Sequence, residues 1–304
     1  MILTYSRPMT WLILMLLVTP FTSMTDANAD MIFKYKSSSV SVISENNAEM
    51  VSPECDDPSN VGTVGSAPGC DGMLIVDDNS LRSAASKEAD PEGGYDPDQQ
   101  GGSGNFYIDH NGISYTFGDD ENNIFTGQVK DMSSLLRNTD FNGDIGYWDV
   151  SSVTTMRYMF FNNHVFNQHI GDWDVANVEN MKGLFYRAIH FNQDIGSWDV
   201  SNVTNMSYMF KTANYFNQDI GSWDTSSVKD MNRMFRRPRV FNQDISDWDV
   251  SNVTNMNLMF RGAESFNQDL SEWCVSQISS YPAQFARNTP SWSKEKPSWG
   301  DCPE

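Results

Sequence analysis

The amino-acid sequence predicts an α/β repeat solenoid, built from short parallel strands and short helical turns and capped at both ends. The first observation is a motif, seen as FNQDIGSWDVSNVTNMSYMF at 191–210, that returns with a fixed 25-residue period. The second is that its Phe and Trp never leave this register. They stand at Phe141, Phe166, Phe191, Phe216, Phe241 and Phe266, and at Trp148, Trp173, Trp198, Trp223, Trp248 and Trp273. Such periods are typical of solenoids, whose units bury their apolar faces only by stacking.

Each unit contains two apolar patterns in succession. Residues 195–200, IGSWDV, follow the L-x-x-L-x-L rhythm of leucine-rich repeats, which predicts a short strand with Trp198 and Val200 on one face. The next apolar residues stand at i, i+3, i+4 and i+7 and predict about two helical turns. They are Met206, Met209, Phe210 and Ala213. The predicted coil is therefore leucine-rich-repeat-like: strand, turn, short helix and return.

The N-terminal residues 1–29 have the pattern of a secretory signal peptide. Arg7 precedes an apolar core at 11–18, and Ala27-Asn28-Ala29 forms an A-x-A cleavage pattern. The apolar run is shorter than the roughly 20 residues of a spanning helix. We therefore expect no transmembrane span after cleavage and an extracellular or cell-surface location, with an uncleaved membrane anchor as the alternative.

Four further segments follow the signal peptide. Residues 30–105 contain 14 acidic and 4 basic residues and end in PEGGYDPDQQGGSGN, a composition typical of disordered linkers. Within them, Cys55 and Cys70 predict a small disulfide loop. Residues 106–140 are predicted as an N-terminal cap with a partial repeat, 141–265 as five repeats, and 266–304 as a degenerate repeat and C-terminal cap held by Cys274 and Cys302. Disulfides are expected because the protein is predicted to be exported and contains no C-x-x-C spacing.

The repeated motif resembles that of a known family. F-N-Q-D-I-x-x-W-D-V-S-x-V-x-x-M-x-x-M-F at this spacing is similar to the BspA family of leucine-rich-repeat surface proteins, over residues 129–302. The resemblance implies an exported or cell-surface solenoid used for adhesion or partner binding. It carries over no individual functional residue, because the family shares the packing motif.

Composition restricts the function further. With 40 acidic and 20 basic residues the net charge is −20, which disfavours nucleic acid as a partner. The sequence contains no G-x-S-x-G, H-E-x-x-H, G-x-G-x-x-G or P-loop string, so we expect no enzyme. The predicted function is binding or adhesion to an unknown surface protein or glycan. The alternative is a structural or calcium-dependent matrix protein that self-assembles.

The residues after each M-x-x-M-F differ between copies, which favours them as the partner-binding surface. In the fourth copy a basic patch is formed by Arg233, Arg236, Arg237 and Arg239. An acidic protein or anionic glycan is the predicted ligand, and a solvated, internally paired face is the alternative.

Two acidic columns run through the repeats. The first consists of Asp149, Asp174, Asp199, Asp224 and Asp249. Its carboxylates are predicted either to accept hydrogen bonds from nearby amides and serines or to bind Ca²⁺, with no other cofactor expected. The second consists of Asp144, Asp194, Asp219, Asp244 and Asp269, beside Asn and Gln columns that predict hydrogen-bonded ladders. Glycosylation sequons at Asn202, Asn205 and Asn252 are relevant only in a eukaryotic secretory route.

Overall fold

The computed structural model describes residues 31–36, 39–44, 53–67, 70–71, 73–86, 106–118 and 123–303. The chain divides into two compact units, Met1–Glu49 and Met50–Glu304. In the first unit, β1 (Met31–Lys36) pairs antiparallel with β2 (Ser39–Ser44). The predicted signal peptide and the linker at 91–105 lie outside the described residues.

The second unit begins with short elements that precede the repeats. These are α1 (Pro53–Asp56), a 3-10 turn (Pro58–Asn60), β3 (Leu74–Ile75), α2 (Asp78–Ser86), β4 (Tyr107–His110), β5 (Ile113–Thr116) and β6 (Ile124–Phe125). β3 pairs parallel with β6, and β4 pairs antiparallel with β5. The disulfide Cys55–Cys70 has the pairing that the sequence predicts, and both cysteines are buried with Ile75 and Phe125.

The N-terminal cap begins earlier than residue 106, the predicted boundary. Leu74 and Leu81 belong to the same buried cluster as the repeats. Asp78 at the start of α2 accepts hydrogen bonds from the amides of Lys130 and Asp131. Part of the segment predicted as largely disordered is therefore folded, because its few apolar residues are buried in the same core as the repeats.

Consecutive coils are joined by a ladder of backbone hydrogen bonds at the M-x-x-M-F segment. Every second amide in this segment donates to a carbonyl of the following coil. In one central coil the donors are Met206, Tyr208, Phe210 and Thr212, and the acceptors are Asp230, Asn232, Met234 and Arg236, at 2.8–3.0 Å. Isolated parallel bridges at Thr155, Asn180, Asn205, Asp230 and Asn255 begin these ladders. Each coil therefore rests directly on the next.

The local structure inside a coil differs from the predicted strand and helix. In the described W-D-V segments between 148 and 250, no backbone hydrogen bond joins one coil to the next, and the Trp198 amide, for example, donates to Ile195 within its own coil. The predicted helix at 206–213 is a series of turns, since Tyr208 and Thr212 have left-handed φ values of 64° and 58°. A left-handed residue at every fourth position interrupts the α-helical hydrogen bonding.

The core consists of aromatic columns that run through the stack. In four of the five neighbouring tryptophan pairs the ring centroids are 6.2–6.5 Å apart and the rings lie nearly parallel. Each indole Nε1 from Trp173 to Trp273 donates to an isoleucine carbonyl of the preceding coil. At the far end, Trp292 packs edge-on against Phe260 and Phe266. The disulfide Cys274–Cys302, with the predicted pairing, ties the last segment to this end.

Candidate functional site: a cation–tyrosine face

The turns of the M-x-x-M-F segment create a surface on which cations and aromatic rings alternate, and we name it the cation–tyrosine face. Met206, Met209 and Phe210 point into the core, whereas Tyr208, Lys211 and Thr212 are half-buried and contribute to the surface. Equivalent positions in neighbouring coils are one repeat period apart. The face consists of Arg137, Arg157, Tyr158, Phe161, Lys182, Tyr186, Arg187, Tyr208, Lys211, Arg233, Arg236, Arg237 and Arg261.

Cations lie over tyrosine rings on this face. Lys211 Nζ is 4.0 Å from the centroid of the Tyr186 ring and donates a hydrogen bond to its hydroxyl at 2.7 Å. Arg233 lies 5.2 Å from the Tyr208 ring and donates to that hydroxyl at 2.8 Å. Lys182 lies between Tyr158 and Tyr208, 6.0 and 5.7 Å from the two centroids. The rings thus hold the cations in place without neutralising them.

The cations of the face repel one another. Burial of the ammonium, together with the charges of Arg236, Arg233, Arg187 and Arg237, lowers the pKa of Lys211 to about 8. Burial and three neighbouring arginines also lower the pKa of Arg236. Within the part of the chain that the structure describes, none of these cations forms an ion pair with a carboxylate. The face is therefore a concentrated positive charge on a protein whose net charge is −20.

An open groove lies at one end of the face. It has a volume of about 200 Å³ and is lined by Arg137, Tyr158, Phe161 and Tyr186. The Arg137 guanidinium lies 4.9 Å from the Phe161 ring, and its Nε is buried without a hydrogen-bond partner among the described residues. The groove therefore brings one guanidinium and three aromatic side chains together.

The structure enlarges the predicted basic patch. It brings Arg233, Arg236 and Arg237 together, as neighbours of Lys211. Arg239 is exposed and is not among the charges that act on Lys211 or Arg236. Tyr186, Arg187 and Lys211 lie in the variable segments that the sequence favours as the partner-binding surface, but the basic patch was predicted without them. Sequence reasoning missed Tyr158 and Tyr208. The 25-residue register was a signal for Tyr186 and Lys211, since it places 186, 211, 236 and 261 in one column.

The first aspartate column is occupied by local hydrogen bonds. Each of its five carboxylates accepts from the backbone amide two residues later, at 2.9–3.1 Å. Hydrogen bonds from the side chain and the amide of Ser201 lower the pKa of Asp199, and those from Ser226 do the same for Asp224. Among the described residues, no three acidic, His or Cys groups are placed to hold one metal ion. The geometry supports the hydrogen-bonding alternative for this column.

The second column and the amide columns also serve the fold. Each carboxylate of the second column accepts from the amide two residues later. The asparagines of the F-N-Q segment form a ladder in which Asn167 Oδ1 accepts from the amide of Asn192, and so on along the stack. Asn202 and Asn252 of the sequons donate to carbonyls of the preceding coil at 2.8 Å. Asn205 lies in an inter-coil bridge.

The stacked coils with a 25-residue period define a repeat protein. A family model described as "Mycoplasma protein of unknown function, DUF285" matches the chain twice, at residues 111–218 and 190–299. These matches span well over half of the chain, so it belongs to this family. The resemblance to the more narrowly defined BspA family stays an interpretation of the repeat motif. No curated protein and no solved structure matches the chain. None of the described helices is long and apolar enough to cross a membrane.

Proposed function

We propose that this protein is a repeat solenoid that acts as a non-catalytic binding protein outside the cytoplasm. It recognises an acidic surface protein or anionic glycan through the cation–tyrosine face. The observation that carries this proposal is the concentration of cations around Lys211, none of which is paired with a carboxylate among the residues that the structure describes. Holding like charges together costs free energy in the free protein, and an acidic partner offsets that cost.

The location outside the cytoplasm is supported by the two disulfides. Disulfides form and persist in oxidising compartments and are rare in the cytosol. The predicted signal peptide agrees with this location. A non-catalytic role is supported by the sequence, which contains none of the catalytic strings considered above. The calcium-dependent alternative has less support, because the aspartates on which it depends already accept local hydrogen bonds.

The function is tested by a binding screen of the full chain against anionic and neutral glycans and acidic proteins, with and without calcium. We compare it with a variant that carries Arg236→Gln and Arg237→Gln. The matched control is Arg239→Gln, which removes one cation outside the Lys211 neighbourhood. Binding of an acidic partner that the double variant loses and the control keeps supports the proposal. Binding that is equal in all three proteins contradicts it.

A further inference from the structure

We propose that the centre of the cation–tyrosine face is a binding site for a tetrahedral oxyanion, a sulfate or phosphate ester group carried by the partner. The site consists of Arg187, Lys211, Arg233, Arg236 and Arg237, which we name the Lys211 cluster. This inference rests on the proposed function. It narrows the acidic partner to one that carries esters of this kind, as opposed to one recognised through carboxylates alone.

The cluster is assembled from three successive coils by the backbone ladder. The Arg187 amide donates to the Lys211 carbonyl at 2.9 Å, and the Thr212 amide donates to the Arg236 carbonyl at 2.9 Å. Backbone segments paired in this way lie about 4.8 Å apart. Donors therefore approach a bound group from three levels of the stack. A tetrahedral oxyanion directs three acceptor oxygens outwards and matches this arrangement better than a planar carboxylate with two.

The donors are positioned before any ligand arrives. Lys211 is held by the Tyr186 hydroxyl, and Arg233 Nη1 by the Tyr208 hydroxyl and by Asn232 Oδ1 at 2.6 Å. These partners are neutral, so they orient the cations and leave their charge available. Arg236 Nε is buried and has no hydrogen-bond partner among the described residues. Preorganised, uncompensated donors are what an oxyanion site requires.

The backbone supplies an independent argument. Three of the five cations stand at left-handed positions, with φ of 61° at Arg187, 57° at Arg233 and 62° at Arg237. Such positions favour Gly and Asn. At the position of Arg187 and Arg237, other coils have Asn162 and Gly262, whereas the position of Arg233 also accepts large residues such as Tyr208. Arg187 and Arg237 are therefore placed where folding alone favours a smaller residue, and local strain of this kind is typical of functional sites.

The aromatic rings argue against a single-stranded nucleic acid as the ligand. Proteins that bind such strands offer free ring faces on which bases stack. Here the Tyr186 ring is covered by Lys211, and Tyr208 has Lys182, Lys211 and Arg233 over it. The net charge of the protein does not prevent local anion binding, because charges beyond the Debye length of about 8 Å at physiological ionic strength are largely screened.

The test is a titration of the full chain with inorganic sulfate and, separately, inorganic phosphate, at ionic strength held constant with chloride. Binding is followed by calorimetry and by the thermal unfolding midpoint. The variants are Lys211→Met and Arg236→Gln, and the control is Arg239→Gln. Sulfate stabilises most proteins nonspecifically. The informative quantity is therefore the difference between each variant and the control in the same salt.

We expect the wild type and Arg239→Gln to bind the anion, and Lys211→Met and Arg236→Gln each to bind it about tenfold more weakly, as for loss of one charge-assisted hydrogen bond. The stronger of the sulfate and phosphate responses identifies the ester. Equal responses in all four proteins overturn the inference. If instead polyglutamate binds the wild type but not the Arg236→Gln, Arg237→Gln variant and neither inorganic anion binds, the inference fails while the proposed function stands.

Discussion

The pKa of the Lys211 side chain is set by its burial and by the arginines around it. Its pKa in the folded protein is about 8, below the ordinary 10.5. Between these two values the unfolded chain binds more protons than the folded one, so the free energy of unfolding rises as the pH increases from about 8 towards 10.5. Below pH 8 the charged ammonium destabilises the fold throughout.

We therefore expect Lys211→Met to remove this dependence. Thermal unfolding midpoints at about pH 7.5 and about pH 10 are compared between wild type and variant, with the exposed Lys229→Met as control. The advantage of Lys211→Met over the wild type is expected to be larger at the lower pH than at the higher one, whereas Lys229→Met follows the wild type. Parallel pH curves for wild type and Lys211→Met would show that the lysine is not held among uncompensated charges.

The same residue illustrates what the sequence could predict about the site. Arg236 and Arg237 are adjacent in the chain, so a basic patch was visible there. Lys211 and Arg187 each contribute one cation to a coil, and neither stands out in its own segment. They become a cluster only because the ladder pairs the Arg187 amide with the Lys211 carbonyl. The 25-residue period places Lys211 and Arg236 at equivalent positions, but it does not specify which amide pairs with which carbonyl and so did not place Arg187 beside Lys211.

At the scale of the element, the M-x-x-M-F segment was predicted as a helix because its apolar residues stand at i, i+3, i+4 and i+7. The same spacing also fits consecutive turns in which each core residue closes on the one three before it. The Met209 amide donates to Met206, and that of Ala213 to Phe210. The remaining amides of the segment donate to the next coil. An isolated helix of this length is only marginally stable, so its intrahelical hydrogen bonds do not compete with this ladder. The stack therefore overrides the local helical pattern.

The left-handed backbone at Thr212 predicts a stabilising substitution there. The residue is β-branched and stands at φ 58°, a position occupied by Asn162 and Gly262 in other coils. Thr212→Asn is expected to raise the free energy of unfolding by about 0.5–1 kcal/mol, because Asn tolerates the left-handed region better. Thr212→Val keeps the β-branch and should bring no gain. Denaturant unfolding measures both variants, and equal stability of the Asn and Val proteins would argue against left-handed strain.

The tryptophan column gives a second prediction for the contact between coils. Trp198 Nε1 donates to the Ile170 carbonyl at 3.0 Å, whereas Trp148 Nε1, in the first full coil, is buried without a partner among the described residues. Trp198→Phe and Trp148→Phe remove a similar volume, but only the former loses a hydrogen bond. We expect Trp198→Phe to cost about 1 kcal/mol more in the free energy of unfolding. Equal costs in denaturant unfolding would mean that the indole bond does not hold neighbouring coils together.

At the scale of the whole molecule, the period and the apolar columns were predictable, because a strict 25-residue register has few physical causes other than stacking. Both disulfide pairings were also predictable from sequence proximity. The start of the N-terminal cap was not. Leu74 and Leu81 lie in an acidic segment of low hydrophobicity, and their burial depends on the surface of a coil much further along the chain. Such a contact produces no repeated pattern in the sequence from which it could be predicted.

A stack in which each coil contacts mainly its neighbours tolerates the loss of one whole coil. Deleting residues 241–265 joins Val240 to Phe266 and restores the register, because Phe266 replaces Phe241. It also keeps Arg187, Lys211, Arg233, Arg236 and Arg237. Deleting residues 241–252 removes about half a coil and places polar residues in the aromatic columns.

We expect the first deletion to unfold cooperatively with a lower free energy of unfolding, since one set of inter-coil contacts is lost, and to keep its response to sulfate or phosphate. The second deletion should fail to fold. Circular dichroism and denaturant unfolding measure the fold, and calorimetry measures the anion response. If both deletions unfold the protein alike, coils do not act as interchangeable units and the solenoid proposal is wrong. If the first folds but loses the anion response, the fifth coil, including Arg261, supplies part of the site.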